Sequence, residues 1–524
     1  MKELLRDVLG ARADLLEIPG GEHGDLALPC FSFAKELKKS PALIAGEIKA
    51  EVDKKISGGG VIEKVEIAGG YLNFYLNRVV VAKKMLSELG KGGLPLKGKS
   101  ALVEHTSINP NSSPHIGRAR GGIIGDCIAR LLKYLGADVK THYFVNDIGK
   151  QISLLVWAVG DTDGLDFNHM LDIYIKASDQ MKNDPAVEKI VLEQLNKLES
   201  GDKGMQGLFY RVVEVCLTGI SEIFGELGIL HDHFDYESNF IVDGTVGKVL
   251  DKLKKTDKLS IDENGRYIVD LEGYGIHQKI LPITRGDKTS LYPLRDICYT
   301  LFKIDKKPDL NIIVLGEDQK MYMQQINAVM DIMGHPPIKG VFNAHVLLAE
   351  GRMSTRSGNI VLLEGVMKTA VEKIGNKTLG YGAIKYALLK VAANKTVFFD
   401  WDAVLNTQGD SSIYLQYCYA RIMSLVKKTT RKVDEIDYKI FQDENAWKIL
   451  KKVHAFPGLL VNIVENNFVV SEIAGYLFNL AQLFSTWYGV SKIVDTDNIV
   501  LAKYVADVIR DGLGILGIDV LDEM

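Results

Sequence analysis

One segment of this chain constrains its fold more than any other. Residues 101–107 (ALVEHTS) are apolar and β-branched and read as a strand. A loop rich in Asn, Pro and Ser follows (INPNSSP). Next comes GRARGGIIGDCIARLLKYLG, in which Ile123, Ile124, Cys127, Ile128, Leu131, Leu132 and Leu135 recur on one helical face. VKTHYFVND then reads as a second strand. Strand, helix and strand at this spacing make a βαβ unit and therefore a parallel sheet.

The α/β pattern resumes near Leu291. NIIVLG reads as a strand, a helix runs to about Met333, and VFNAHVLLA reads as another strand. Residues 150–280 between the two halves are mixed and look inserted. Upstream, FAKELKKSPALIAGEIKAEV has helical spacing, with a start at Ser40-Pro41. VIEKVEIAGGYLNFYL alternates like strands around Gly69-Gly70. GKGGLPLKGK, residues 90–99, reads as a linker. From Lys385 onward the text is nearly all helical. The expected architecture is α/β: a doubly wound, Rossmann-like parallel sheet with flanking domains. The divisions are residues 1–95 (α+β), 96–384 (the core, with its insertion at 150–280) and 385–524 (a helical bundle).

Composition narrows the function classes. A chain of 524 residues is long enough for several domains. No apolar run of about 18 residues appears, so no membrane span is expected. MKELLRDVLGARADLLEI has the character of neither a secretory signal nor a transit peptide. Cys30, Cys127, Cys216, Cys298 and Cys418 form no CxxC pair. Free thiols in a reducing, cytoplasmic compartment are expected, with no protein-held metal. His231 and His233 lack further ligand spacing and are expected at the surface. The net charge of −4 does not announce a nucleic-acid partner, although a local basic face can still bind RNA.

Two constellations carry chemistry. Pro114-His115-Ile116-Gly117-Arg118 sits where a strand gives way to a helix. A helix N-terminus offers free N–H groups to phosphate, and Gly117 lets a nucleotide approach the backbone. Arg352-Met353-Ser354-Thr355-Arg356-Ser357-Gly358-Asn359 alternates cations and hydroxyls, as a polyphosphate clamp requires. Taken singly, each has an ordinary alternative, a satisfied loop histidine or a solvated turn.

Together, and in this order, they resemble the HIGH and KMSKS motifs of class I aminoacyl-tRNA synthetases. VEHTSINPNSSPHIG, HYFVNDIGKQI, LYPLRDICYTLFK, VLGEDQKMYMQQ, RMSTRSGNIVLLE, FFDWDAVL, YLQYCYARI and LGIDVLDEM resemble the arginyl family, as do GDLALPCFSFAKEL and VEIAGGYLNFYL in its added N-terminal domain. The resemblance implies an arginine–tRNA ligase that uses ATP and Mg²⁺ to activate L-arginine and charge its tRNA, and a monomer is expected.

The resemblance also assigns roles. Glu104 matches a carboxylate that reads a cationic group of the substrate, and Asn109 matches the residue at its α-amino end. Tyr292 and Asp296 match a Tyr-xxx-Asp pair on one helix face, and Gln319 a glutamine in the next strand–helix turn. His115 serves both arginine and ATP. Asn109, Pro114, His115, Gly117, Arg118, Met353 and Ser354 match the ATP site, and His115, Gly117, Arg118, Arg352, Ser354, Thr355 and Arg356 make up the implied catalytic set. For Asp296 a pair with Arg295, and for Glu104 a place on an edge strand, remain the alternatives.

The helical bundle is implied to bind the anticodon arm, with Tyr414 and Arg421 as candidates. Tyr414, Tyr417 and Tyr419 have a core stripe as their ordinary alternative. Two departures stand out: the motif is HIGR, and the second KMSKS lysine is Thr355, with Ser112 where many arginyl enzymes carry a compensating lysine. Arg118, Arg352 and Arg356 are the candidate replacements. Another class I synthetase and a catalytically silent tRNA-binding paralogue are the rival readings.

Overall fold

A computed structural model describes residues 2–19, 23–56, 59–89, 93–160, 165–348, 351–352, 361–431 and 436–524. The chain divides into two compact units: residues 1–93 with 422–457 and 480–507, and residues 94–421 with 458–479 and 508–524.

The first unit holds an antiparallel sheet in the order Leu26–Pro29, Tyr71–Leu76, Ile62–Ala68. The hairpin around Gly69-Gly70 is as expected, and the strand Leu26–Pro29 is additional. The expected helix is two, Phe31–Leu37 and Pro41–Lys55, because Ser40 caps the second: its hydroxyl accepts from Leu43 N–H at 3.4 Å. The helix Glu444–Glu465 brings Trp447 into this unit. The Trp447 indole N–H donates to Asp25 Oδ1 at 2.5 Å, and Asp25 Oδ2 accepts from Leu76 N–H at 3.0 Å. The Arg78 guanidinium lies 5.6 Å from the Trp447 ring and pairs with Glu444 at 2.6 Å. So the N-terminal sheet and part of the helical region share one core.

The second unit is built on five parallel strands ordered Lys339–Asn343, Leu310–Gly316, Ser100–Glu104, Asp138–Val145, His233–Tyr236. In chain order this reads 5-4-1-2-3, so the direction of winding reverses between Ser100–Glu104 and Leu310–Gly316. Ligands bind beyond the strand ends at such a reversal. The helix Ile116–Tyr134 packs its expected face into the core. It lies so close to the sheet that a Cβ on Gly125 would fall 2.1 Å from His105 Cβ. Arg120 on the same helix is fully buried. Its guanidinium donates to the carbonyls of Ala344, Leu388, Val391, Ala392 and Lys395 at 2.8–3.4 Å, closing the C-terminal end of the helix Lys377–Leu389.

Two expectations need correction. Residues 150–280 are not wholly an insertion. After four helices (Lys150–Val159, Phe167–Asn183, Pro185–Glu199 and Lys203–Glu226), His233–Tyr236 is the third core strand in chain order. It is an edge strand of four residues with exposed His233 and Phe234, so it carries no apolar signature. VFNAHVLLA is not one strand: Lys339–Asn343 joins the core sheet, whereas Val346–Leu348 pairs with Val397–Phe399 in another. The break falls at Ala344, whose carbonyl Arg120 claims.

Lys385 lies inside the helix Lys377–Leu389. The helices Ser412–Lys428, Glu444–Glu465, Ser471–Val490 and Asn498–Ile515 follow. The five cysteines are buried free thiols. Among the described residues no helix is long and apolar enough to cross a membrane.

Candidate active site

The central strand Ser100–Glu104 ends in a strained turn. Thr106 and Ser107 hold φ of 69° and 39°, unusual for residues with a Cβ. The turn is tied to the next strand: Phe144 N–H donates to Ser107 Oγ at 3.1 Å and the Tyr143 hydroxyl to the Ile108 carbonyl at 2.6 Å. Asn109 follows, its amide donating to Gln151 Oε1 at 3.1 Å. Beyond the turn lies a cavity of about 790 Å³ at the reversal point, walled by Glu104, His115, Arg118, Asp296, Lys303 and Tyr322 among others.

One end of the cavity is made for an anion. His115 is the N-cap of the helix Ile116–Tyr134, and its Nδ1 accepts from Arg118 N–H at 3.3 Å. Burial, with the Arg118 cation beside it, pushes the imidazole down to about 4, so the ring is neutral near pH 7. With Nδ1 accepting, the proton is assigned to Nε2, which is left as a donor. A Cβ on Gly117 would stand 3.0 Å from His115 Nδ1, so glycine keeps this ring in place. The Arg118 side chain also lines the cavity.

The other end is made for a cation. Asp296 opens onto the cavity and is walled by protein elsewhere; this burial pushes its carboxyl up to about 6. The Tyr322 hydroxyl, donating at 2.5 Å, and the cations Arg295 and Lys303 oppose that shift, and Glu104 adds to it. Arg295 faces away and pairs with buried Glu237, which removes the neighbour-pair alternative for Asp296. Glu104 is buried on the central strand of the sheet, not on an edge, and its carboxylate is bonded to the Lys303 ammonium.

The structure thus gathers Glu104, Asn109, His115, Gly117, Arg118, Asp296 and Gln319 around one cavity. Tyr292 does not line it. Tyr292 is 57% exposed, and its ring packs 5.2 Å from that of Tyr322. Pro114 stands behind the site, its carbonyl accepting from Leu363 N–H at 2.8 Å. Arg352 lies in the strand Gly351–Arg352, and Met353, Ser354, Thr355 and Arg356 lie outside the described residues.

Tyr322, Tyr299 and Lys303 are site residues that sequence reasoning missed. A signal existed: Asp296, Tyr299 and Lys303 stand at i, i+3 and i+7 of one helix, and therefore on one face.

The expectation for the histidine pair holds only for His233. His231 is partly buried, its ring 4.6 Å from that of His105, because the chain passes under the turn at Thr106. On the helix Ser412–Lys428 the aromatic stripe divides. Tyr419 is buried, Tyr414 packs edge-on against Phe478 at 5.6 Å, and exposed Arg421 lies 5.8 Å from the exposed Tyr417 ring.

A parallel sheet with a cavity at its reversal point, a helix N-terminus capped by a neutral histidine and a long helical C-terminal region define the class I aminoacyl-tRNA synthetase architecture. The comparisons agree and go further. The model for the class I (R) tRNA synthetase catalytic domain matches residues 82–381, that for the arginyl tRNA synthetase N-terminal domain residues 2–76, and that for the DALR anticodon binding domain residues 415–524. An arginine–tRNA ligase of Methanocella arvoryzae is 33% identical, with 100% of this chain and 98% of that protein covered. One of Methanocaldococcus jannaschii is also 33% identical, covering 99% of this chain and 97% of that protein. In fold, the Thermus thermophilus arginyl-tRNA synthetase superposes with a TM-score of 0.83 at 21% identity over 100% of both chains. The chain belongs to the arginyl-tRNA synthetase family.

Proposed function

We propose that this chain is an arginine–tRNA ligase that activates L-arginine with ATP and transfers it to the 3'-terminal adenosine of its tRNA. The observation that carries this reading is one cavity with a hydrogen-bond-donating end and an acidic end. Arginine lies with its guanidinium on Asp296, where a planar acceptor binds two N–H groups at once. Glu104, Gln319 and Asn109 hold the remaining polar groups of the amino acid, and Tyr292 shields Tyr322 from solvent. The substrate carboxylate then attacks the α-phosphorus in line, and pyrophosphate leaves.

His115 Nε2–H and the N–H groups of the helix N-terminus stabilise charge on the phosphoryl oxygens. Gly117 and Pro114 shape their approach. Arg118 meets the phosphates from the helix; Arg352, Met353, Ser354, Thr355 and Arg356 supply the opposite clamp, with Arg356 favoured in the place of the missing lysine. Among the described residues no group of three His, Cys, Asp or Glu side chains could hold a metal ion; a Mg²⁺ would be held by phosphate oxygens of the nucleotide. That ion would neutralise phosphate charge.

Residues 1–95 and 385–524 are assigned to tRNA, the latter to the anticodon arm through Arg421 and its neighbours Tyr414 and Tyr417. The enzyme acts as a monomer in the cytoplasm. The test is aminoacylation of tRNA with each amino acid in turn. Arginine alone should be charged; charging of another amino acid, or of none, overturns the reading.

A further inference from the structure

Lys303, the cationic half of a buried ion pair in this cavity, has no role in the chemistry described so far. Glu104 is 3% exposed and Lys303 1% exposed, and the Lys303 ammonium is bonded to Glu104 Oε2. The ammonium also lies 4.4 Å from the centre of the Tyr299 ring. The Tyr299 hydroxyl donates to Asp235 at 2.9 Å, and Asp235 is bonded to His142 at 2.6 Å. Lys303 is therefore held from the strand side and from its own helix, with no freedom to swing away. Two ions withdrawn from water lose more solvation than a surface pair does, so such a pair is weak evidence for stability and needs another reason.

The charges around the cavity supply one. Glu104 faces it from the central strand, Asp296 and Lys303 from the helix Tyr292–Asp305, Arg118 from the first turn of the helix Ile116–Tyr134, and Asp318 from the 3-10 turn Glu317–Gln319. Arg295 is cancelled by Glu237, and Asp235 faces His142. The charged and titratable groups that act on Asp296 are Tyr292, Arg295 and Lys303 from its own helix, Tyr322 from the helix Lys320–Ile332, and Glu104 and Glu237 from the strand side. The inner end thus holds two carboxylates and one ammonium, a balance of one negative charge.

We propose that Lys303 is a specificity-determining positioning residue. It is a built-in counter-ion that fixes the Glu104 carboxylate and leaves on Asp296 the single negative charge that one guanidinium cancels. The proposal rests on reading the cavity as an arginine site. Without the ammonium, two carboxylates would share the inner end of the cavity, and like charges make each hold its proton more tightly. Asp296 is already raised by burial, Glu104 raises it further and Lys303 lowers it. Lys303 therefore keeps Asp296 ionised near neutral pH.

The test is kcat/KM for arginine in full-chain aminoacylation, measured across pH 5.5–9 for wild type, Lys303→Met, Lys303→Arg and Lys303→Met with Glu104→Gln. Lys303→Met should move the acidic limb upward by about one pH unit, raising KM for arginine about twofold at pH 7 and approaching tenfold near pH 5.5. KM should recover toward the wild-type value by pH 9, and kcat should change much less. Lys303→Arg should keep the wild-type limb. The double variant removes both charges and leaves no buried ion alone; its limb should return to the wild-type position although it loses the Glu104 contact. A limb unmoved in Lys303→Met, a KM raised equally at every pH, or a double variant whose limb stays displaced overturns the proposal. Should Lys303→Met not fold, the limb of the double variant decides. Wild-type protein that charges no arginine would refute the functional reading instead, so the two failures are distinguishable.

Discussion

The two ends of the cavity solve opposite problems by opposite means. The anion end uses donors that do not titrate near neutrality: main-chain N–H groups at the start of the helix Ile116–Tyr134, a histidine pushed down to about 4, and the Arg118 guanidinium. The cation end uses ionisable groups withdrawn from water: Asp296, pushed up to about 6, and the Glu104–Lys303 pair. Such a donor set carries no proton to lose near neutrality, so it works alike over a wide pH range. A desolvated carboxylate gives stronger discrimination, because leaving it unpaired is costly, but it ties recognition to pH. On the proposed reading, pH sensitivity falls on capture of the amino acid and not on capture of the nucleotide.

The sharpest way to break this contrast is Asp296→Asn. Removing the carboxylate should lower kcat/KM for arginine by roughly 2–4 kcal/mol, or about 30- to 1,000-fold, while KM for ATP moves little. Unchanged arginine kinetics would remove Asp296 from the pocket. Tyr322→Phe should act in the same direction with a smaller loss, about 1.5 kcal/mol for one hydrogen bond to a charged group. Its acidic limb should also rise, because the Tyr322 hydroxyl lowers the Asp296 carboxyl. A Tyr322→Phe enzyme with a wild-type limb would show that the hydroxyl does not reach the carboxylate in solution.

The pH dependence itself comes next. A folded-state value raised above the ordinary carboxylate range means that the free protein keeps the Asp296 proton up to about pH 6. Guanidinium needs the ionised form, so arginine capture is full above that pH and falls about tenfold per unit below it. Calorimetric titration with arginine at pH 5 and pH 7.5, in the presence of tRNA, measures this; equal affinities would contradict it. The smallest expected effect is at the other end. Once the titration of the nucleotide's own phosphates is divided out, KM for ATP should stay flat between pH 5.5 and 8. The His115 ring is neutral throughout that range. A limb near pH 6.5 that disappears in His115→Asn would show that the histidine works as a cation after all.

Much of the anion end was legible because its parts are neighbours in the chain. The strand, the turn, the capping histidine and Gly117 fall within about 15 residues, and helix periodicity with a capping position is a short-range signal. The same holds for Ser40-Pro41, whose cap the structure realises; Asp296 was singled out by resemblance, and Tyr292, one turn before it, lies off the cavity. What lay beyond reach joins distant segments. Lys303 and Glu104 meet across 199 residues and Arg120 closes a helix end 268 residues away, while Trp447 reaches Asp25 across 422. A lysine in a helical stretch reads as a solvated one until the fold puts it against a buried carboxylate. The strand His233–Tyr236 escaped notice because it sits at a sheet edge, where four half-polar residues suffice. Sequence alone thus determined the parallel strands around the first βαβ unit and the helix N-terminus that follows its first strand, since local periodicity and capping encode these. Which charges cancel before substrate arrives, and which carboxylate stays free for a guanidinium, the tertiary structure decided, because charge balance depends on distances that no local pattern carries.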